Sequence, residues 1–247
     1  VGSEMCIRDR DDTVLEIGPG IGFVTEKAAP EVKRLIAVEI DEDAIDVLSD
    51  LPFNNIDIIN KDILQTDFSE LSDERVKIIA NIPYYITSPI LVHLLGEIDE
   101  QTNKNRSLIS EIILMVQYEV AKRIVATNES RAKDYGLLSI LCNFWAETEL
   151  LETVPASAFY PKPKVDSALV RLKMRKTPLF ELDDPKKFRR VIKGAFAMRR
   201  KTLVNSLSSS GFPKEKIKSA LAELGFSENI RAENLSIEDF KNLSQKL

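Results

Sequence analysis

Short apolar runs rich in β-branched residues alternate with amphipathic stretches along most of this 247-residue chain. Such runs are typical of strands buried in a parallel sheet, and the stretches between them have helical spacing. The pattern predicts strands at residues 13–17, 34–38, 56–60, 76–80, 109–116, 147–153 and 166–173. It predicts helices at residues 23–29, 41–49, 88–95, 117–126 and 136–145. In the third of these helices, Ser88 is the expected cap and Pro89 the first helical residue. The alternation predicts an α/β fold with a doubly wound sheet.

The pattern becomes purely helical after Thr177-Pro178. Helices are predicted at residues 185–198, 214–224 and 236–245, with Gly225 ending the second. We therefore expect a catalytic domain over residues 11–178 and a small α-helical domain over residues 179–247. Residues 1–10 lack periodicity and an initiator methionine, so we interpret them as foreign or fragment-edge sequence.

Composition narrows the class of protein. The apolar content of 44% is enough for a large core, and two cysteines are too few for a disulfide scaffold. The sequence has no metal-ligand spacing, signal peptide or apolar run of about 20 residues. We expect a cytoplasmic protein that uses no metal.

Charge is distributed unevenly along the chain. The net charge is −5, yet residues 160–201 contain 14 Lys and Arg against 4 Asp and Glu. This stretch predicts a basic face for nucleic acid on an acidic body. The alternative is an ordinary solvated surface rich in lysine.

Polar residues and glycines mark the ends of four successive predicted strands. They are Gly18 and Gly20 after the first strand, Glu39 after the second, Asp62 after the third and Asn81 after the fourth. Ligands of open α/β sheets bind at this edge, where glycines admit a ligand and Glu39 could accept both ribose hydroxyls. Asp62 could receive the adenine amino group of the same ligand. Each acid taken singly could be a cap or a turn residue. The G-x-G-x-G spacing weakens an NAD interpretation.

The segment Asn81-Ile82-Pro83-Tyr84 contains groups that can hold a planar amine. The amide oxygen and a neighbouring carbonyl can accept the two amine hydrogens, and Tyr84 can stack on the ring. A plain strand-to-turn joint is the alternative. A proline-rich loop at residues 155–164 is stiff enough to present Phe159 beside this cleft.

Two other conspicuous residues are expected to be structural. The single histidine, His93, has no partner motif and is predicted to be a packing or surface residue. Trp145 is predicted to lie in the core.

Together these motifs resemble the ribosomal RNA small-subunit adenine N6,N6-dimethyltransferase family over residues 14–236. The resemblance rests on Glu16-Ile17-Gly18-Pro19-Gly20, Val38-Glu39-Ile40-Asp41, Asn81-Ile82-Pro83-Tyr84, residues 117–123, Tyr135-Gly136-Leu137-Leu138-Ser139, residues 159–167, Ala195-Phe196, residues 199–202 and residues 231–236.

The resemblance implies a Rossmann-like methyltransferase sheet and S-adenosyl-L-methionine as cofactor. It implies dimethylation of two adjacent adenosines near the 3′ end of 16S rRNA, in 30S biogenesis, by a monomer. The implied catalytic residues are Asn81, Pro83, Tyr84 and Phe159. The cofactor residues are Gly18, Gly20, Glu39, Asp62 and Asn81. Arg123, Lys162, Lys164, Arg199, Arg200 and Lys201 are expected to bind RNA.

The sequence departs from the family at its start, where residues 1–10 replace a Gln-Asn-Phe-Leu segment that completes the cofactor site. We expect weak cofactor binding from a cleft without this lid. Three other functions remain open: a large-subunit rRNA adenine methylase, a non-catalytic RNA-binding assembly factor and, more distantly, an NAD-dependent oxidoreductase.

Overall fold

A computed structural model of the chain describes residues 10–81 and 86–247. One seven-stranded sheet contains β1 (Thr13–Ile17), β2 (Arg34–Glu39), β3 (Ile56–Asn60), β4 (Val76–Asn81), β5 (Ile109–Gln117), β6 (Ala146–Val154) and β7 (Ser167–Met174). The strand order is β3-β2-β1-β4-β5-β7-β6. The first five strands run parallel, and β7 is antiparallel to both β5 and β6. The predicted α/β class and all seven predicted strands are confirmed.

Ten α-helices lie in the described part of the chain: α1 (Thr25–Ala28), α2 (Glu42–Ser49), α3 (Thr87–Leu95), α4 (Lys104–Leu108), α5 (Tyr118–Val125), α6 (Leu137–Trp145), α7 (Pro185–Phe196), α8 (Leu203–Ser209), α9 (Lys214–Glu223) and α10 (Ile237–Lys246). None of these helices is long and apolar enough to cross a membrane.

Two helical predictions need correction, and two helices were not predicted. Helix α3 begins at Thr87, so Ser88 is not its cap, and Ile86 in that position has no capping side chain. Pro89 is tolerated because the first N–H groups of a helix have no intrahelical acceptor. Helix α1 is a single turn followed by a 3₁₀ turn. Helices α4 and α8 were not predicted. Asn103 caps the first by accepting from the Arg106 N–H, and Thr202 caps the second by accepting from the Asn205 N–H.

The sheet core is centred on β1, which lies between β2 and β4. Every residue of β1 is buried, and Leu15, Ile36 and Ile78 are fully excluded from solvent on three adjacent strands. Each such side chain contributes about 1.5–3 kcal/mol of hydrophobic stabilisation. The residues at the strand ends are therefore held by a tightly packed sheet core.

The chain divides into two compact units. The first contains the described residues of Val1–Gly96, together with Thr102–Ala121 and Ala146–Lys176. The second contains Glu97–Gln101, Lys122–Trp145 and Thr177–Leu247. Its core is aromatic, with edge-to-face contacts between Phe144 and Trp145 and between Tyr135 and Phe196. Trp145 is 4% exposed, so it is a core residue as expected.

Candidate active site

Three parallel strands deliver their terminal residues to one edge of the sheet. Ile17 pairs with Val38 on one side and with Ala80 on the other. The residues that follow Ile17, Val38 and Ala80 are Gly18, Glu39 and Asn81. The structure therefore brings these three predicted site residues side by side. Parallel strands leave their carboxyl ends at a common edge, where open α/β sheets bind ligands.

The glycine-rich loop after β1 requires glycine for two different reasons. Gly20 has φ +56°, but a Cβ there would have no heavy atom within 4 Å. Its requirement is conformational, since side chains disfavour positive φ. A Cβ on Gly22 would approach Leu48 Cδ2 to 2.9 Å, so that position is also limited by packing against α2. The open space at Gly20 is where a ligand can approach the backbone.

Glu39 organises the loop that faces it. Its Oε2 accepts from the Gly20 N–H at 2.9 Å, and its Oε1 accepts from the N–H groups of Ile40 at 2.8 Å and Asp41 at 3.0 Å. The side chain is buried, with 7% exposure. An ionised carboxylate has about four acceptor positions, so these bonds leave about one. Accepting both ribose hydroxyls, as the sequence suggested, requires the Gly20 bond to be shared or exchanged.

A second buried carboxylate, Glu16, lies within β1, two residues before Gly18. The Thr25 hydroxyl donates to its Oε2 at 2.7 Å, and the residue is 3% exposed. Burial raises the pKa of Glu16 to about 7, Glu39 adds repulsion and the Thr25 bond opposes the shift. The sequence interpretation assigned this residue no role. The available signal was one acid within the otherwise apolar strand Thr13–Ile17.

Asp62 follows β3 and begins a 3₁₀ turn. Its Oδ1 accepts from the Leu64 N–H at 2.9 Å, and its backbone oxygen accepts from the Thr66 hydroxyl at 2.8 Å. The role as a cap, which the sequence left open, is therefore real. It uses Oδ1, and Oδ2 has a 3.5 Å contact with the Gln65 amide. Asp62 thus combines a cap with remaining acceptor capacity.

Exposed apolar side chains flank these polar groups. Ile21 and Phe23 follow the glycines, Ile40 follows Glu39 and Leu64 follows Asp62. Their exposed fractions are 55%, 75%, 66% and 38% in that order. Sequence reasoning missed them because it followed polar residues only. Apolar side chains beside convergent polar groups are characteristic of small-molecule sites.

Asn81 is the exposed last residue of β4 and pairs with Met115 of β5. Two predicted catalytic residues, Pro83 and Tyr84, lie outside the described residues. Phe159 is half-buried in the β6–β7 loop. Since Val154 pairs with Ser167, which pairs with Gln117 at the end of β5, this loop leaves the sheet at the same edge as Asn81.

The predicted RNA-binding residues have different surroundings. Arg123, Lys162, Lys164, Arg200 and Lys201 are exposed. Arg199 is also exposed, but its Nη2 donates to the backbone oxygens of Ala132 at 2.7 Å and Tyr135 at 2.8 Å. Its guanidinium therefore fastens a loop within the second unit.

Acids from elsewhere in the chain neutralise part of the basic stretch. Arg175 pairs with Glu147, and Arg189 pairs with Glu97 and Asp99. The basic face is accordingly smaller than the residue count implied. Within the described ranges, no three His, Cys, Asp or Glu residues are grouped closely enough to hold a metal ion.

The chain is similar in sequence to known proteins over almost its whole length. A family model described as ribosomal RNA adenine dimethylase matches residues 4–247. "Ribosomal RNA small subunit methyltransferase A" of Caldanaerobacter subterraneus is 41% identical over 244 residues, 96% of this chain and 87% of that protein. The protein of the same name from Bacillus mycoides is 41% identical over 94% of this chain and 80% of its own length.

Two solved structures share the fold. A dimethyladenosine transferase from Plasmodium falciparum superposes with a TM-score of 0.75 at 26% identity, covering 98% of this chain and 92% of that one. The 23S rRNA methyltransferase ErmE superposes with a TM-score of 0.69 at 26% identity, covering 99% and 96%.

Proposed function

This chain belongs to the ribosomal RNA adenine dimethylase family, and we propose that it dimethylates N6 of two adjacent adenosines near the 3′ end of small-subunit rRNA. It is an adenine methyltransferase that uses S-adenosylmethionine. The observation that carries the proposal is the row formed by Gly18, Glu39 and Asn81 at one sheet edge. We propose that the chain acts as a monomer in the cytoplasm, within 30S biogenesis.

The conformation and charge of the strand-end residues support their assignment to a cofactor site. Open space at Gly20 would admit the methionine end to the backbone, and the nearby carboxylate of Glu39 complements a cationic ligand. Glu39 would hold the ribose and Asp62 the adenine amino group. Ile40 and Leu64 would supply apolar contact for the adenine ring. The cofactor, when bound, supplies an activated methyl group on a sulfonium.

Asn81 would orient the target amine. The N6 lone pair of adenine is delocalised into the ring, which makes the amine a weak nucleophile. By accepting one N6 hydrogen, while a carbonyl of the Ile82-Pro83 dipeptide accepts the other, Asn81 would direct the lone pair towards the methyl group. The proton released after transfer can pass to water, so the residues contribute mainly orientation. A second transfer needs only the one hydrogen that the monomethylated amine retains.

The target adenosine must leave its stack to reach Asn81. Stacking between Tyr84 and Phe159 would offset an unstacking cost of a few kcal/mol. Lys162 and Lys164 lie in the same β6–β7 loop as Phe159 and are exposed, so they would contact phosphates beside the target. Arg123, Arg200 and Lys201 would hold a folded RNA element.

Methylation of purified ribosomal particles tests the proposal. Unmethylated 30S and 50S subunits are incubated with the protein and S-adenosylmethionine, and the methylated nucleosides are mapped by mass spectrometry. Dimethyladenosine at two adjacent positions near the 3′ end of 16S rRNA is expected. Modification of 23S rRNA alone would establish the large-subunit alternative. A protein that binds the cofactor in a titration but methylates neither particle would be better explained as the non-catalytic assembly factor.

A further inference from the structure

The only histidine lies at the junction of three segments in the first unit. His93 is half-buried on α3, which follows the Asn81-Ile82-Pro83-Tyr84 segment in the chain. Its Nε2 is 3.0 Å from the backbone oxygen of Thr66 and 3.0 Å from Nδ2 of Asn105, at α4. Asn105 Nδ2 in turn donates to the Thr66 oxygen at 3.3 Å. The three groups form a closed triangle.

The triangle is satisfied in either neutral tautomer of the ring. With hydrogen on Nε2, His93 donates to the Thr66 oxygen; with hydrogen on Nδ1, Nε2 accepts from the Asn105 amide. Asn105 is fixed by a further bond, because its Oδ1 accepts from the Phe68 N–H at 2.9 Å. Asn105, Thr66 and Phe68 are all buried. The ring also packs edge-on against Phe68, with centroids 6.2 Å apart.

The triangle connects to the backbone of Asp62, the residue whose carboxylate is predicted to bind adenine. Thr66, whose carbonyl accepts from Asn105 and, in the Nε2–H tautomer, from His93, donates its hydroxyl to the backbone oxygen of Asp62 at 2.8 Å. Thr66 also ends the 3₁₀ turn that Asp62 begins. The turn is therefore bonded at both ends, and the direction of the Asp62 carboxylate depends on where Thr66 is held.

We propose that His93 is a positioning residue that, through Thr66, aims the Asp62 carboxylate at the adenine amino group of the cofactor. This inference rests on the proposed role of Asp62. A residue that served only for packing would not affect one particular ligand group. Loss of the His93 side chain, in contrast, should weaken recognition of the adenine amino group.

Two ligands separate recognition of the amino group from general binding. S-adenosylhomocysteine and its 6-deamino purine analogue differ only by hydrogen in place of the amino group. A hydrogen bond from that group to a carboxylate should make the first ligand bind about tenfold more tightly. The ratio of the two dissociation constants, measured by calorimetric titration of the full chain, is the readout. It requires no catalysis and no RNA.

Four variants decide the question. His93→Leu keeps the apolar contact with Phe68 but has no polar atom, whereas His93→Gln keeps a side chain that can donate or accept. Asp62→Ala removes the carboxylate itself, and Val92→Ala changes a 37% exposed neighbour on α3 as a control. We expect the ratio to fall to about one in Asp62→Ala and to about threefold or less in His93→Leu. It should stay near tenfold in His93→Gln and Val92→Ala.

The outcomes are distinguishable. A wild-type ratio in His93→Leu overturns the positioning role while leaving Asp62 in place. An equal loss of ratio in His93→Leu and His93→Gln also overturns it, since the polar contact would then not matter. A wild-type ratio in Asp62→Ala removes the adenine contact from the proposed function, and the inference falls with it.

Discussion

The Glu39 carboxylate and the Gly20 N–H, which belong to neighbouring strand paths, are joined by a 2.9 Å hydrogen bond. The bond crosses from the end of β2 to the loop after β1. It therefore holds the glycine loop in place through the same carboxylate that is proposed to bind ribose. The loop geometry and the proposed ribose contact would therefore depend on one side chain.

Replacement of Glu39 should consequently affect both properties. Glu39→Gln keeps the shape but turns one acceptor oxygen into a donor that faces backbone N–H groups. We expect the free energy of unfolding to fall by about 1–3 kcal/mol and cofactor affinity to fall at least tenfold. Chemical unfolding and calorimetric titration measure the two effects. Glu42→Gln, an identical change at an exposed residue on α2, is the control and should alter neither.

Asn81 should act on transfer more than on binding. Asn81→Ala removes one acceptor for the N6 hydrogens. It should raise the activation free energy of methyl transfer by about 3 kcal/mol, comparable to the loss of an oxyanion donor. Single-turnover rates on 30S subunits measure this, with filter binding to confirm that RNA affinity is little changed. Asn54→Ala, at an exposed turn, is the control. A rate within threefold of wild type would contradict the assigned role.

Phe159 and Tyr160 are adjacent aromatic residues with different exposure. Phe159 is half-buried, whereas Tyr160 is fully exposed. If Phe159 stacks on the extruded base, Phe159→Ala should lower the ratio of the single-turnover rate to the RNA dissociation constant. The expected decrease corresponds to about 1–3 kcal/mol of lost base stacking. Tyr160→Ala should have a much smaller effect. Equal effects from the two changes would argue against the specific stacking role.

Arg199 and Arg200 should have separable roles. Arg199→Ala removes two hydrogen bonds to the Ala132–Tyr135 loop and should lower the free energy of unfolding by about 1 kcal/mol or more. Arg200→Ala should leave the free energy of unfolding unchanged. It should reduce the slope of the logarithm of the RNA binding constant against the logarithm of salt concentration by about 0.7–0.9, the value for one lost phosphate contact. Chemical denaturation measures the stability of both variants, and RNA binding between about 50 and about 200 mM salt measures the slope. An unchanged slope in Arg200→Ala would assign that arginine to the solvated surface.

Glu16 should make stability depend on pH. Its pKa of about 7 in the folded chain exceeds the ordinary value of 4.5, so between these values the folded state binds more protons than the unfolded state. Stability is then highest below the ordinary pKa and decreases as pH rises to about 7, by up to about 3 kcal/mol. Glu16→Gln removes this dependence. Unfolding of both proteins from pH 5 to pH 8 should show a stability difference that grows with pH in favour of the variant.

The sequence by itself determined the strands and the residues at their ends. Strand periodicity is local, and parallel strands must leave their carboxyl ends at a common edge, so Gly18, Glu39 and Asn81 could be placed together without coordinates. The motifs at those ends, together with further motifs elsewhere in the chain, identified the family. It could not decide whether the Asp62 carboxylate was a cap or a ligand, because a single acid after a strand has both uses.

Only the tertiary structure decided how individual side chains are used. Arg199 resembled a phosphate contact in sequence, yet it bonds to a carbonyl 67 residues away. Glu16 has an unusual pKa because neighbouring elements bury it. His93 meets Thr66 and Asn105 on separate segments, and residues 122–145 cluster with the C-terminal helices. Periodicity records which face of an element is buried, whereas these properties depend on which distant groups the fold places against that face.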